Sequence, residues 1–307
     1  MEKKSQITVI GAVNIDLIGY PDHQLIYKDD NIGSLETILG GVGRNIAENL
    51  SKLDFNVEFL SVFADDYFGK KIIQSCNELN ISTTHSLIKK EATTSTFMAI
   101  MDNENDMALG ISAMHIYDEI PPSFIMDKLD CIKQSPYCVL ETNMPQSILE
   151  LVVKNAPNTK FALDAVSGTK ALKAKNILAN LTILKCNLIE AELLSGISIA
   201  TKEDYDKLVH HFLNIGVQKV FITLGKEGLI YGNHQEVFRL KSKEVKPVNT
   251  TGGGDSFMAG LLLAAYQNFD IHKMAKTATA CATLTIQHKN TVHPKINKEL
   301  ILNLSNE

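Results

Sequence analysis

Short apolar runs rich in β-forming residues alternate with helical patterns over most of this 307-residue chain. Such alternation favours a parallel sheet whose connecting helices cover both faces. In the first helical segment, Ile46, Leu50 and Leu53 fall at i, i+4 and i+7, on one face of a helix. The pattern therefore predicts an α/β fold with a mostly parallel central sheet. The predicted strands are 7–10, 57–62, 137–140, 160–164, 181–185 and 219–224, and the predicted helices are 43–53, 68–79, 146–155, 189–195 and 202–216.

Two stretches interrupt the alternation. Residues 14–39 have no clear helical period, and residues 93–111 hold two β-rich runs around a polar turn at 102–105. The second stretch is typical of a hairpin. We expect these pieces to form a small β-sheet that serves as a lid or a dimer surface. No linker is rich enough in Pro, Gly or Ser to separate domains, which predicts one domain over 1–307 with lid segments near 14–39 and 93–116.

The composition limits the class of protein. Apolar residues make up 45% and charged residues 21% of the chain, as in soluble globular proteins. A net charge of −5 gives no reason to expect a nucleic-acid polymer or an anionic membrane as a partner. Five scattered cysteines without a Cys-x-x-Cys pair indicate reduced thiols rather than a disulfide framework or a zinc site. With no signal-like apolar segment at the N-terminus, we expect a cytoplasmic protein.

The histidines show no metal-binding pattern in the sequence. Neither His210-His211 nor the pair His288 and His293 has the i, i+4 spacing of a helical zinc motif. We expect these side chains to lie on the solvated surface.

A glycine run near the C-terminus carries the strongest chemical signal. Thr250–Asp255 places three glycines before an acidic residue that opens an apolar helix. Glycines let a ligand approach the backbone closely, and a helix N-terminus offers unpaired N–H donors to an anion. A carboxylate there suits a base that takes a proton from a hydroxyl attacking a phosphoryl group. The alternative is that Asp255 only caps the helix.

Two earlier segments have the chemistry of a sugar site. Asn14 and Asp16 alternate after the first strand, so on extended backbone both point the same way and could hold a polyol. An ordinary polar loop is the alternative. The segment 40–45 opens a helix with glycines, of which Gly41 allows close approach and Asn45 reaches a sugar hydroxyl. Arg44 could equally be solvated surface.

Two further segments follow predicted strands. Asn187 and Glu190 are three residues apart and share a face if a helix begins there, as suits the water shell of Mg²⁺. A capped, solvent-facing first turn is the alternative. The segment 223–228 combines a hydroxyl with glycines and could contact a nucleotide, although many strand–turn connections look similar. Asp164 and the segment 223–225 sit at strand ends, where ligands bind in parallel sheets.

The order of these segments resembles that of the ribokinase-like sugar and nucleoside kinases, also called the phosphofructokinase-B family. The segments that carry the resemblance are 11–16, 40–45, 187–190, 223–228 and 250–255. The resemblance covers nearly the whole chain, and the last segment is highly specific. It implies a three-layer α/β/α sandwich with a β-sheet lid. It also implies an enzyme that uses ATP and Mg²⁺ to phosphorylate the 5′-hydroxyl of a ribose-containing nucleoside.

The resemblance assigns roles to particular residues. It implies that Asp255 is the general base and that the N–H groups of Gly252, Gly253 and Gly254 surround the transferring phosphoryl group. The other implied roles are ribose binding by Asn14, Asp16, Gly41 and Asn45, a nucleotide site with Asn187, Thr223, Gly225, Gly228, Thr251 and Asn290, and Mg²⁺ held through water by Glu190 with Asn187.

The chain also departs from the family pattern. Gly253 stands where alanine is usual, which preserves the backbone donors, and Asn249 replaces an aspartate, which puts potassium activation in doubt. The segments 40–50, 107–117 and 163–167 are most similar to a nucleoside-specific branch, although Ala113 stands where that branch tends to carry an aspartate. A homodimer through the lid agrees with the family. A catalytically silent sugar or nucleotide sensor remains the alternative from another class.

Overall fold

The computed structural model describes residues 6–104 and 106–306, apart from the side chain of Glu203. The strands are β1 Gln6–Ile10, β2 Asn14–Pro21, β3 Gly33–Gly40, β4 Asn56–Leu60, β5 Val62–Ala64, β6 Ile81–Ser82, β7 Leu87–Lys89, β8 Thr96–Met101, β9 Met107–Ala113, β10 Tyr137–Glu141, β11 Lys160–Asp164, β12 Leu181–Asn187, β13 Lys219–Thr223, β14 Leu229–Asn233 and β15 Val237–Leu240.

The helices connect these strands and cover them. The α-helices are α1 Val42–Lys52, α2 Tyr67–Glu78, α3 Pro122–Met126, α4 Leu129–Gln134, α5 Gln146–Asn155, α6 Gly168–Ala171, α7 Leu188–Ser195, α8 Tyr205–Ile215, α9 Gly253–Tyr266, α10 Ile271–Ile286 and α11 Lys298–Leu304. Short 3₁₀ helices cover His115–Tyr117, Leu172–Asn180, Lys202–Asp204 and Gly225–Glu227.

The main sheet of the described residues has the strand order β15-β14-β13-β12-β11-β10-β1-β4-β6. Its strands run parallel from β6 to β13, and β14 and β15 are antiparallel. The predicted α/β fold with a mostly parallel sheet is therefore confirmed. The parallel strands bring their carboxyl ends to one edge, which is where ligands bind in such sheets.

Alternation along each strand divides the core into two layers. On β1, Ile7 and Val9 face one layer and Ile10 faces the other, and all three are fully buried. Helix α9 packs against α1 and α10 in the first layer and is buried nearly all round. This burial explains why its sequence is apolar on every side, and it fixes the position of the helix start relative to the sheet.

Two predicted elements had wrong bounds. The predicted strand 57–62 is divided at Ser61, because β4 pairs in the main sheet and β5 pairs with β7 in a separate two-stranded sheet. The predicted helix 202–216 begins as a 3₁₀ turn, and α8 ends before Gly216, whose φ of 126° leaves the helical region. The remaining predicted elements are present with small shifts at their ends.

The lid is a separate four-stranded sheet with the order β3-β2-β8-β9. Strands β2 and β8 are parallel, and each has an antiparallel neighbour at the edge. The predicted hairpin corresponds to β8 and β9, and the stretch without helical period corresponds to β2 and β3. Among the described residues, no helix has the length and apolar character needed to cross a membrane.

Candidate active site

Asp255 lies inside the first turn of α9 rather than at its cap. The helix begins at Gly253, and its N-cap is Gly252 in the left-handed conformation at φ 82°. A Cβ on Gly252 would lie 2.0 Å from the carbonyl oxygen of Thr291, so no larger residue fits there. The glycines thus start the helix two residues earlier than the sequence indicated. The interpretation of Asp255 as a simple cap is wrong.

The start of α9 has the features of an anion site. Gly253 N–H reaches the Thr250 carbonyl at 3.3 Å, whereas the N–H groups of Gly252 and Gly254 make no hydrogen bond within the described ranges. A Cβ on Gly254 would lie 2.7 Å from Nζ of Lys185. A buried ammonium therefore stands beside the free end of the helix, where the macrodipole already favours negative charge.

The environment of Asp255 suits a base at neutral pH. Its side chain is buried, and Oδ2 accepts a hydrogen bond of 2.8 Å from Nδ2 of Asn45. Burial and the nearby charge of Asp164 raise the pKa of Asp255 to about 7, against the opposing effects of Asn45 and Lys185. A carboxylate with this pKa can accept a proton at physiological pH and hold it during a reaction.

Lys185 is held by a carboxylate on the neighbouring strand. Asp164, the last residue of β11, is the register partner of Lys185 on β12, and Nζ of Lys185 lies 2.9 Å from Oδ2 and 3.2 Å from Oδ1 of Asp164. Burial alone would lower the pKa of Lys185, but the charges of Asp164 and Glu190 outweigh it and raise the pKa. The lysine is therefore charged. Sequence patterns assigned no role to Lys185, because its contact with the start of α9 joins residues far apart in the chain.

The turn after Asp164 is strained. Val166 has a φ of 62°, which is rare for a β-branched residue, and its N–H donates to Oδ1 of Asp164 at 3.0 Å. Such strain persists only where the surroundings impose it. Here the unusual backbone helps to orient the carboxylate that holds Lys185.

The predicted sugar residues come together at the base of the lid. Nδ2 of Asn14 donates to Oδ1 of Asp16 at 2.5 Å, so the two side chains share a face as expected from their spacing. A Cβ on Gly40 would lie only 2.6 Å from Oδ2 of Asp16. Gly41 has φ 100°, and its Cβ would clash with Val13. Burial raises the pKa of Asp16, and the bond from Asn14 opposes that effect.

Two buried residues that the sequence did not reveal anchor the loop before Asn14. Glu141, at the end of β10, accepts the N–H of Ala12 and, at 2.7 Å, the N–H of Asn143. The hydroxyl of Tyr117 donates to the carbonyl of Val13 at 2.8 Å. Burial raises the pKa of Glu141 to about 7, and its backbone hydrogen bonds oppose that change. These contacts give a rigid support to the loop that presents Asn14.

Arg44 is structural rather than solvated. Its side chain is buried, and Nη1 donates to the carbonyl of Leu39 at 3.1 Å while Nη2 contacts Ser75 and Glu48. The guanidinium thus joins the end of lid strand β3 to α1 and α2. The interpretation of Arg44 as exposed surface is wrong.

Asn187 and Glu190 form a reciprocal capping box at the start of α7. Oδ1 of Asn187 accepts the N–H of Glu190 at 2.9 Å, and Oε2 of Glu190 accepts the N–H of Asn187 at 2.8 Å. Glu190 is only 2% exposed, so the turn is capped as the alternative interpretation held but does not face solvent. Burial raises the pKa of Glu190, and Lys185 opposes that rise.

The residues around Glu190 fit a hydrated magnesium ion. Each oxygen of its buried carboxylate keeps a lone pair besides the one that bonds to Asn187. Buried negative charge that is only partly balanced favours a cation, and Mg²⁺ prefers oxygen ligands and retained waters.

A cleft of about 730 Å³ opens beside the start of α9. Thr223, Gly225 and Gly228 line it, as do Gly253 and Gly254. The predicted nucleotide residues Asn187, Thr251 and Asn290 are not among its described lining residues.

The three residues outside the cleft lining have other contacts. The amide of Asn187 is turned into its capping box, although its backbone lies in register beside Thr223. Thr251 is exposed, and its N–H donates to Oδ1 of Asn249 at 2.9 Å. Asn290 lies in an exposed turn and donates its N–H to His288 at 3.0 Å.

A second cavity, of about 820 Å³, lies against the lid. Thr96 and Ala113, register partners on β8 and β9, line it together with Lys89 and His115. Thr96 is also the register partner of Ile15, the neighbour of Asp16. Because side chains alternate along a strand, Thr96 faces the same side of the lid as Ile15, and Asp16 faces the other side.

The fold and the site define a small-molecule phosphotransferase with a lid. The family model "pfkB family carbohydrate kinase" matches residues 4–298, and the chain belongs to this family. The pseudouridine kinase of Escherichia coli (strain K12) is 28% identical over 305 residues, which cover 99% of this chain and 97% of that protein.

Solved structures agree with the family assignment. A Clostridium perfringens protein with a crystal structure is 31% identical in sequence to this chain. The two structures match with a TM-score of 0.89 over 100% of this chain and 96% of that one. Ribokinase of Arabidopsis thaliana, solved with ribose and ATP, has a TM-score of 0.88 at 20% identity and covers 99% of this chain and 100% of that one. These matches show the ribokinase-like fold.

Proposed function

We propose that this protein transfers the γ-phosphoryl group of ATP to the 5′-hydroxyl of a ribose-containing nucleoside, and that its substrate is pseudouridine. The observation that carries the proposal is the placement of Asp255. A buried carboxylate with a pKa near 7 stands at a helix start, next to free N–H donors and the ammonium of Lys185. A kinase needs this combination of a base and positive charge at one point.

The chemistry follows from these positions. Asp255 takes the proton of the substrate's primary hydroxyl as that oxygen attacks the γ-phosphorus, and ADP leaves. The N–H groups of Gly252 and Gly254 and the ammonium of Lys185 stabilise the charge on the transferring group. Gly253 contributes less, because its N–H already reaches Thr250. Glu190 would hold a hydrated Mg²⁺ ion, which would supply positive charge to the phosphate groups of ATP.

The substrate assignment has two supports. Asn14, Asp16, Gly41 and Asn45 gather at the base of the lid, where a ribose would lie. The pseudouridine kinase of Escherichia coli also matches nearly the whole chain, at 28% identity. The alternative is another sugar or nucleoside kinase activity of the same family: ribokinase, adenosine kinase or another nucleoside kinase.

A substrate panel tests the proposal. Coupled ADP release is measured with pseudouridine, uridine, adenosine, cytidine and ribose at saturating ATP and Mg²⁺, and kcat/KM is compared. We expect the highest value for pseudouridine. A higher value for ribose or adenosine would reassign the substrate within the family. Binding of ATP without turnover on any acceptor would favour a sensor instead.

Cation use and assembly belong to the same proposal. Asn249 supplies an amide that bonds to Thr251 and to the carbonyl of Lys289, in place of a carboxylate. We therefore expect turnover without added potassium.

The exposed lid face carries apolar side chains that include Leu35, Leu109 and Ile111, which favours a homodimer through the lid. A single kinase domain in the cytoplasm stays part of the proposal.

A further inference from the structure

Three potential metal ligands that are distant in sequence meet on one face of the main sheet. They are Glu58 on β4, His85 after β6 and Cys131 on α4. Their ligand atoms all lie within 4.8 Å of one another. Glu58 is buried, and the other two are partly buried. The cluster shares no residue with the candidate active site.

The side chains in this cluster are arranged around an unsatisfied atom. Nδ1 of His85 is buried and lies 3.0 Å from Oε1 of Glu58, yet it makes no hydrogen bond of acceptable geometry with any described residue. Buried polar atoms in proteins nearly always have a partner. A cation bound among Nδ1, the Glu58 carboxylate and the Cys131 thiol would give this nitrogen its missing partner.

The thiol of Cys131 is hydrogen-bonded to the side chain of Thr8. Thr8 is in turn bonded to Ser135 at 2.6 Å, which gives the thiol a fixed polar support.

We propose that Glu58, His85 and Cys131 form a binding site for one Zn²⁺ ion per chain. A carboxylate, an imidazole and a thiolate are a zinc-type donor set. Zn–N and Zn–O bonds of about 2.0 Å and a Zn–S bond of about 2.3 Å put tetrahedral ligands about 3.3–3.6 Å apart, so a small closure of the cluster suffices. The fourth position is open to water, because the His85 side chain is 40% exposed.

The site links three elements. Helix α4 would be tied through Cys131 to β4 and to the segment after β6, where His85 N–H already reaches Glu58 at 3.3 Å. The wide spacing of the ligands explains why the cysteine pattern of the sequence indicated no zinc site. Binding here would stabilise the folded chain without contact with the substrate.

Cobalt substitution tests the site independently of activity. Metal-free protein is titrated with Co²⁺, and the thiolate-to-cobalt absorption band and the stoichiometry are recorded; Zn²⁺ should then displace the cobalt. We expect one equivalent of Co²⁺ with a thiolate band in the wild type and in the control His210→Ala, an exposed histidine on α8. Cys131→Ser should abolish the band, and His85→Ala should weaken binding at least about tenfold.

Thermal unfolding provides the second readout. Zn²⁺ should raise the Tm of the wild type and of His210→Ala but not that of Cys131→Ser or of the isosteric variant Glu58→Gln. The absence of a thiolate band in the wild type would overturn the proposal. An unchanged band in Cys131→Ser, or equal Zn²⁺ stabilisation of all variants, would also overturn it.

Discussion

The side-chain amide of Asn45 donates a 2.8 Å hydrogen bond to Oδ2 of Asp255, so the first turn of α1 holds the carboxylate at the start of α9. These residues are 210 positions apart in the chain. The bond stabilises the ionised form of Asp255 and lowers its pKa against the effect of burial. One residue therefore links the predicted sugar site to the predicted base.

We expect Asn45→Ala to lower kcat about tenfold at pH 7, the scale of one hydrogen bond to a charged group. The pKa of Asp255 should rise, so the acidic limb of the kcat profile should move to higher pH and part of the loss should be recovered there. Asn49→Ala is the control, because its amide bonds to the Asn45 carbonyl one turn along and not to Asp255. An unshifted profile in Asn45→Ala would show that the bond does not tune the base.

Variants of the ion pair between Lys185 and Asp164 can distinguish an effect on stability from an effect on catalysis. Lys185→Met leaves the carboxylate of Asp164 buried and unpaired, which should cost about 3–5 kcal/mol of unfolding free energy. The double variant Lys185→Met/Asp164→Asn should recover most of that loss in urea unfolding. Its turnover should stay low, because the ammonium beside Gly254 is absent. Full activity in the double variant would show that Lys185 has no role in catalysis.

Asp255 should make the protein less stable at high pH. Its pKa is about 7 in the folded chain against 3.8 for the free side chain. The folded state therefore binds the proton of Asp255 more tightly than the unfolded state does. The stability that this proton contributes is lost as the pH rises from 3.8 to about 7. Asp255→Asn has no charge to bury and should be more stable than the wild type at pH 8. At pH 5 the difference in unfolding free energy between Asp255→Asn and the wild type should be smaller than at pH 8 by about 2 kcal/mol, the order expected from such a pKa shift. Equal differences at both values would contradict a raised pKa.

The lid should mediate the proposed dimer. Leu109 and Ile111 are 57% and 56% exposed on β9, and Met98, the register partner of Ile111, is 42% exposed. We expect a dimeric mass for the wild type in light scattering and a monomeric mass for Ile111→Glu. Leu172→Glu changes an exposed leucine far from the lid strands in sequence and should stay dimeric. A monomeric wild type would refute this assembly.

Local patterns predicted the elements that depend on local physics. The helical period of the apolar residues indicated α5, and turn residues indicated the lid hairpin. The predicted end of a strand at Asp164 was also correct. The contacts of Lys185, Glu141 and Tyr117 were not predictable, because each depends on which strands and helices become neighbours. The break at Ser61 was missed for the same reason: an apolar run does not show that β4 and β5 pair with different partners.

The site was only partly predictable. The spacing of Asn14 and Asp16 correctly indicated a shared face, since alternation on a strand is a local property. The sequence placed Asp255 at the helix start, but the positive φ of Gly252 moves the cap back and turns the carboxylate inward. The burial of Arg44 and Glu190 also depends on packing between distant elements.

The proposed role of Asp255 is that of the base in a phosphoryl transfer. Its most direct test is the single-turnover rate of Asp255→Asn with ATP and pseudouridine, or with the best acceptor of the panel, beside Asp127→Asn as an exposed control. We predict a rate about 10²–10⁴-fold below that of the wild type, with ATP binding retained and the control unaffected. A rate for Asp255→Asn within a factor of about three of the wild type would contradict the assignment.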